Sequence, residues 1–232
     1  AILRLIRVVT QDGKGVRWWA LLHAVVTGYG SLATVWVSVA AAETLTGNPE
    51  PLRSILCQGP LTSVHRIIPA ISMGYGLIDM IEGLGHGIDF ILHGFATFTI
   101  MAYFCYYDVA EIIVPMLLME ISTIHLNFVH ASFLSEKALA FNMGFFVLTF
   151  FTTRLFVCPY FWYGIYTTAH DNADNPISQA CLPWHFQYVA FAFGMFFNVL
   201  NAFWAYKIVL KVKRKLSGAE KIAQSNALKD RQ

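Results

Sequence analysis

Apolar residues run along this chain in blocks too long for the half-buried helices and strands of a soluble domain. A bilayer core about 30 Å thick needs about 20 such residues in a helix, because backbone N–H and C=O groups in hydrocarbon must pair within the segment. Six blocks meet that need: Trp18–Ala42, Val64–Ile81, Ile88–Tyr107, Ala110–Phe133, Ala138–Tyr166 and Phe186–Lys207. The second is the most interrupted, carrying Pro69, Gly74, Gly76 and Asp79. Pro115 and Pro159 are expected to kink the fourth and fifth, and the fifth is long enough to tilt or to break at Pro159. The expected fold class is therefore all-α, a polytopic membrane protein with six transmembrane helices.

Composition excludes the other classes. Of 232 residues, 56% are hydrophobic and only 13% charged. A soluble domain carries about 25% charged residues, so this chain could not cover a water-facing surface. Disorder and a disulfide-dense secreted module require quite different compositions. A net charge of +2 gives no support to nucleic-acid binding.

Charge placement sets the orientation. Six spans put both termini on one side, with Arg4, Arg7, Lys14, Arg17, Lys137, Lys207, Lys211, Lys213, Arg214, Lys215, Lys221, Lys229 and Arg231. The opposite side has Arg53 and Arg66, and Arg154 lies within a span. Positive residues gather on the cytosolic-type side of membrane proteins, so both termini are expected there. Residues 1–17 read as a basic N-terminal segment at the interface, 18–207 as the membrane domain and 208–232 as a basic, frayed amphipathic tail. The expected membrane is that of the endoplasmic reticulum or another organelle, and the charge pattern does not choose between them. Cys57 and Cys181 fall in the two long far-side loops; a disulfide between them and four reduced thiols are both open readings. Zinc-type Cys/His spacings are absent, so no metal site is expected.

Ionisable groups within a span cost roughly 2.5–3.5 kcal/mol each on insertion scales and so mark candidate chemistry. His86, Asp89 and His93 are spaced by three and four at the start of the third span, one face of a helix. A carboxylate one turn from an imidazole can fix its tautomer and raise its basicity, so His93 with Asp89 is the candidate catalytic pair. A wetted polar stripe at the helix entrance is the plainer reading. The fourth span carries Glu120, Ser122, Thr123, His125, Asn127 and His130. Glu120, Thr123 and Asn127 share a face and are expected to hydrogen-bond to other helices. Arg154 needs a carboxylate, for which Glu120 and Asp79 are candidates. Together, Asp79, Glu120, Ser122, Thr123, Asn127 and Arg154 form the expected polar core. Gly74 and Gly76 would permit close helix approach, and the many Phe residues read as lipid-facing or packing surface.

The runs GYGLID (Gly74–Asp79), IDFILHG (Ile88–Gly94), MEISTIHLN (Met119–Asn127) and FFTTRLFVCP (Phe150–Pro159), in this order on consecutive spans, resemble the TRAM–LAG1–CLN8 (TLC) domain. The resemblance covers about residues 15–215 and is nearer to the small TLC-domain-containing proteins than to the ceramide synthases. It implies a six-helix bundle around a lipid-accessible cavity. The ceramide synthases of this family use a His-His pair and two downstream aspartates to acylate a sphingoid base from acyl-CoA. Here His93 matches the first histidine, Gly94 stands at the second position, and the aspartate pair is absent.

Three function classes follow. The first is a lipid-handling protein that binds or senses an acyl chain without a complete catalytic set. The second is an acyltransferase using His93 and Asp89, with acyl-CoA as co-substrate. The third is a structural subunit of a larger membrane assembly, in which other protein subunits are the partners. The partner common to the first two is a membrane lipid or fatty acyl chain, with no nucleic acid. No cofactor signature is visible.

Overall fold

The computed structural model describes residues 16–46, 56, 63–84, 87–129, 131–174 and 182–229. These residues form α1 (Trp18–Thr46), α2 (Ser63–Gly83), α3 (Ile88–Tyr106), a 3-10 stretch (Ala110–Met119) continuing into α4 (Glu120–Phe128), and α5 (Glu136–Phe150). A π-helical stretch (Phe151–Val157) joins α5 to α6 (Cys158–Asp174), and α7 covers Phe186–Lys229. Counted as continuous rods, these are the six expected spans. Five are long and apolar enough to cross a membrane; α2, which carries Arg66, Asp79 and Glu82, falls short of that apolar content.

Both prolines coincide with a departure from the α-helical register. Pro115 lies within the 3-10 stretch, where tighter i→i+3 pairing replaces the α-helical register over ten residues. That stretch is the plug of the bundle: Ile112, Ile113, Val114, Met116 and Leu117 are fully buried. Pro159 does not break the fifth span. The turn before it widens to π-helix, and the Cys158 N–H donates to the Thr153 carbonyl, five residues back. A proline ring would clash with an α-helical carbonyl four residues earlier, and a local π turn relieves such crowding without ending the rod. The C-terminal tail is likewise not frayed over most of its length, since α7 continues through it to Lys229.

The bundle is apolar outside and carries its polar groups inside. Trp36, Phe141, Phe156 and Tyr163 are largely exposed, while Asp79, Glu82, Glu120, Ser122, Arg154 and Asn201 are buried. In lipid no hydrophobic force gathers helices, so interhelical hydrogen bonds and close packing must do so. Trp18 and Trp19 at the basic end, and Tyr106, Trp184 and Tyr188 at the other, are exposed, matching the aromatic belts at membrane interfaces.

The closest helix approach is between α2 and α3. A Cβ on Gly94 would lie 2.6 Å from the Gly76 carbonyl and 2.7 Å from the Met80 nitrogen, and one on Gly76 would lie 2.9 Å from the Gly94 carbonyl. Only glycine fits at this crossing. Gly74, which shares the expectation of close approach, has nothing within 4 Å of its Cβ position and takes no part.

Candidate functional site: a polar cavity inside the bundle

The α2–α3 crossing sets what faces what beside it: Asp79 is three residues after Gly76, and His93 is the residue before Gly94. Asp79 of α2 and His93 of α3 meet there, with His93 Nδ1–H donating to Asp79 Oδ2 at 2.8 Å. His93 Nε2, the other ring nitrogen, has no hydrogen-bond partner among the described residues. The ring is held from the opposite side by Trp204 and Phe197 of α7, at centroid distances of 5.3 and 6.0 Å. A carboxylate that holds one imidazole nitrogen and leaves the other free fixes the tautomer needed by a general base or nucleophile.

The expected carboxylate partner of His93 was Asp89, and this is corrected. Asp89 Oδ2 accepts from Trp204 Nε1 at 2.9 Å and Lys207 Nζ at 3.1 Å. The spacing argument is sound for a single helix but ignores neighbours: α7 offers Asp89 an indole N–H and an ammonium, and α2 offers His93 a second carboxylate.

Arg17, just before α1, reaches the same corner. It forms an ion pair with Glu82 and a second with Asp79 at 3.4 Å, and donates weakly to the Tyr75 hydroxyl at 3.5 Å. Read from sequence as one more surface charge on the basic side, it is four-fifths buried. Two buried carboxylates on one helix face would repel each other; the guanidinium between them offsets this.

Arg154 anchors the deeper end. Its Nε donates to Ser122 Oγ at 3.0 Å, its Nη2 to Thr123 Oγ1 at 3.0 Å, and Nη2 lies 3.5 Å from Glu120 Oε1. Glu120 is thus its carboxylate, and Asp79 is engaged elsewhere. Asn201 of α7 accepts from Arg154 Nη1 at 3.4 Å and donates to the Arg154 carbonyl at 3.3 Å. The π register frees that carbonyl from the regular ladder, and Asn201 takes up the vacated bond. Phe150 and Trp204 place their rings 5.6 and 5.5 Å from the guanidinium. From Glu120 the network passes to His23, whose Nδ1 is 3.9 Å from Glu120 Oε2. The His23 Nε2 is hydrogen-bonded to Ser72 Oγ at 3.1 Å, and its ring stacks on Tyr75 at 4.1 Å.

These groups surround a cavity of about 210 Å³. Asp79, His93, Glu120, Ser122, Thr123 and Arg154 line it, along with Arg17, Tyr75 and Lys207. The rest of its wall is apolar: Phe90, Leu126, Phe146, Phe150, Trp204 and Ile208. Six of the eight sequence-singled residues therefore meet at one space. Asp89 sits behind Trp204 and Lys207. Asn127 is buried, but its Nδ2 donates to the Thr123 carbonyl of its own helix at 2.8 Å, and not to another helix as expected. The interhelical amide bond in this region belongs to Asn142, which accepts from His125 Nδ1 at 3.1 Å and donates to the His125 carbonyl at 2.9 Å. His86, His130, Cys57 and Cys181 lie outside the described residues; Cys105 and Cys158 are free thiols.

Arg17, His23, Tyr75, Glu82, Asn201, Trp204 and Lys207 were missed as members of the site. Intramembrane His23 and Asn201 carried the same signal as Glu120 and were legible on that ground. Arg17, Glu82 and Lys207 sit at span ends, where a charge is unremarkable until the neighbouring helix is known.

The cavity adjoins an apolar groove of about 180 Å³ bounded by Leu126, Val129, Met143, Phe146, Lys207, Ile208, Lys211 and Val212. Leu126, Phe146, Lys207 and Ile208 are common to both spaces. Among the described residues no group of three His, Cys, Asp or Glu side chains is placed to hold a metal ion.

No curated protein and no solved structure matches the chain at significant similarity. The family model for the TLC domain (TRAM, LAG1 and CLN8) matches residues 15–210, which include all six rods as far as the cavity uses them. With that match over most of its length, this multi-pass integral membrane protein belongs to the TLC domain family.

Proposed function

We propose that the protein holds one lipid acyl chain, with the polar end of the lipid at His93 and Arg154 and the chain against the aromatic wall of the cavity. Membership of the TLC family places it among lipid-related membrane proteins. The observation that carries the finer reading is the mixed lining of one cavity, in which ionisable and hydroxyl groups stand beside Phe90, Phe146, Phe150 and Trp204. Small-molecule sites are mostly apolar with a few placed polar groups that set orientation. A single water needs about 10–15 Å³ of such space, so a cavity of about 210 Å³ holds far more than one water. That is room for a polar head group with a run of methylenes.

The test is to purify the full chain in mild detergent and quantify retained lipids by mass spectrometry. A single-chain lipid at about one per protein is expected, falling at least fivefold in Phe150→Trp, which fills the cavity without removing a charge. Equal retention in both proteins overturns the reading.

The Asp79–His93 pair favours a second reading, N-acyl transfer from acyl-CoA. In that step an amine attacks the thioester carbonyl, the C–N bond forms and the C–S bond breaks. His93 Nε2 takes the amine proton and passes it to the departing thiolate. CoA release that depends on an added long-chain amine, and is abolished in His93→Ala, would establish it; no release with a panel of amines would exclude it.

A further inference from the structure

We propose that the apolar groove beside the cavity binds an anionic phospholipid of the basic-side leaflet, its phosphate between Lys207 and Lys211 and one acyl chain along the groove. The groove adjoins the cavity and shares Leu126, Phe146, Lys207 and Ile208 with it, but the phosphate contact at Lys211 is its own.

The groove lies between the C-terminal end of α4, the first turns of α5 and the part of α7 that carries Lys207, Lys211, Lys213 and Arg214; that run of positive charge sets its mouth at the level of lipid head groups on the basic side. Its walls are apolar, with Val129, Met143, Ile208 and Val212 facing the same space. Lys207 and Lys211 are exposed and both line it. Four residues apart on one helix, they lie on the same face with a rise of about 6 Å, a spacing that lets one phosphate contact both ammonium groups. Lys207 also serves Asp89, but Lys211 has no ion pair among the described residues. A basic cluster just outside a membrane span attracts anionic head groups, with an affinity gain of about fivefold per charge.

Size and chemistry select this occupant. A groove of about 180 Å³ with mostly apolar walls fits a stretch of acyl chain. A soluble anion would use the lysines and leave the apolar walls uncovered. A zwitterionic lipid would fill the walls and leave Lys211 without a net counter-charge.

Lys207 links the two spaces. A phosphate that draws Lys207 away from Asp89 loosens the contact that holds α3 to α7 beside His93, so an anionic lipid in the groove is placed to act on the cavity.

The experiment uses the full chain purified in detergent and native mass spectrometry with phosphatidylglycerol and phosphatidylcholine of identical chains. Phosphatidylglycerol is expected to bind at least fivefold more tightly. Lys211→Ala should lose about fivefold in that affinity, while Lys213→Ala, an exposed charge two residues on that does not line the groove, should lose less than twofold. Val212→Trp, which adds bulk at a partly exposed wall position, should weaken binding with both lysines present. Equal binding of the two lipids, equal loss in the two lysine variants, or full binding in folded Val212→Trp overturns the proposal. So does displacement of the lipid by millimolar inorganic phosphate. Should Val212→Trp fail to fold, the comparison of Lys211→Ala with Lys213→Ala decides alone.

Discussion

Replacing Arg154 by Leu is the sharpest probe of the polar interior. The guanidinium is 6% exposed and Glu120, its carboxylate, 5%, so the substitution leaves a buried negative charge whose nearest remaining ionisable neighbour is His23 at 3.9 Å. Ser122 and Thr123 each lose a charged donor, and Asn201 loses a donor to its carbonyl oxygen. Removing one partner of a buried ion pair costs about 3–5 kcal/mol. For a chain of this size each kcal/mol moves the thermal midpoint by about 2–4 °C, so a fall of about 10 °C is expected. The assay is thermal unfolding in detergent followed by tryptophan fluorescence, to which Trp204 contributes from 5.5 Å away. The companion variant is Glu120→Gln in the Arg154→Leu background, which removes the stranded charge and should restore at least half of the lost midpoint. If the single variant melts within 2 °C of the parent, or the double variant is as unstable as the sum of the two single ones, the coupling between these groups is absent and the argument fails.

Three other outcomes follow from the same geometry. Gly94→Ala should destabilise by about 1–3 kcal/mol, because its Cβ would sit 2.6 Å from the Gly76 carbonyl, whereas Gly74→Ala should be neutral or slightly stabilising. Thermal midpoints in the reverse order would show that the α2–α3 crossing is not tight. Arg17→Gln removes the positive charge shared by Asp79 and Glu82 and should lower stability by about 1–3 kcal/mol, with much of this returned by adding Glu82→Gln; no recovery in the double variant would mean that Glu82 is not what Arg17 neutralises. Lys207→Gln, at a half-exposed position, should cost at most about 1 kcal/mol, and a loss as large as that of Arg17→Gln in the same melting assay would contradict the exposure difference between the two.

The apolar blocks, the even number of spans and the inward-facing ionisable residues were legible in the linear chain because each rests on a local or additive property. Hydrocarbon demands about 20 paired backbone units per crossing whatever the neighbours are. It also penalises each charged group that faces it. For Arg154 the sequence left two candidate carboxylates, Glu120 and Asp79, and the packing of α4 against the π-helical stretch decides for Glu120. The local geometry of the proline segments was not accessible, because Pro115 in a 3-10 stretch and Pro159 after a π turn are accommodations to the packing around them.

The partners of the site residues were decided by the helix crossings alone. Periodicity names neighbours on one helix and so pairs His93 with Asp89. The crossing of Gly76 with Gly94 instead brings Asp79 to His93 across α2 and α3, and α7 claims Asp89 through Trp204 and Lys207. The same crossing explains why a glycine follows His93: at 2.6 Å from a facing carbonyl there is no room for any side chain. Hydrogen bonds and ion pairs act over about 3 Å, and which groups come that close depends on interhelical packing that no spacing along a single helix contains.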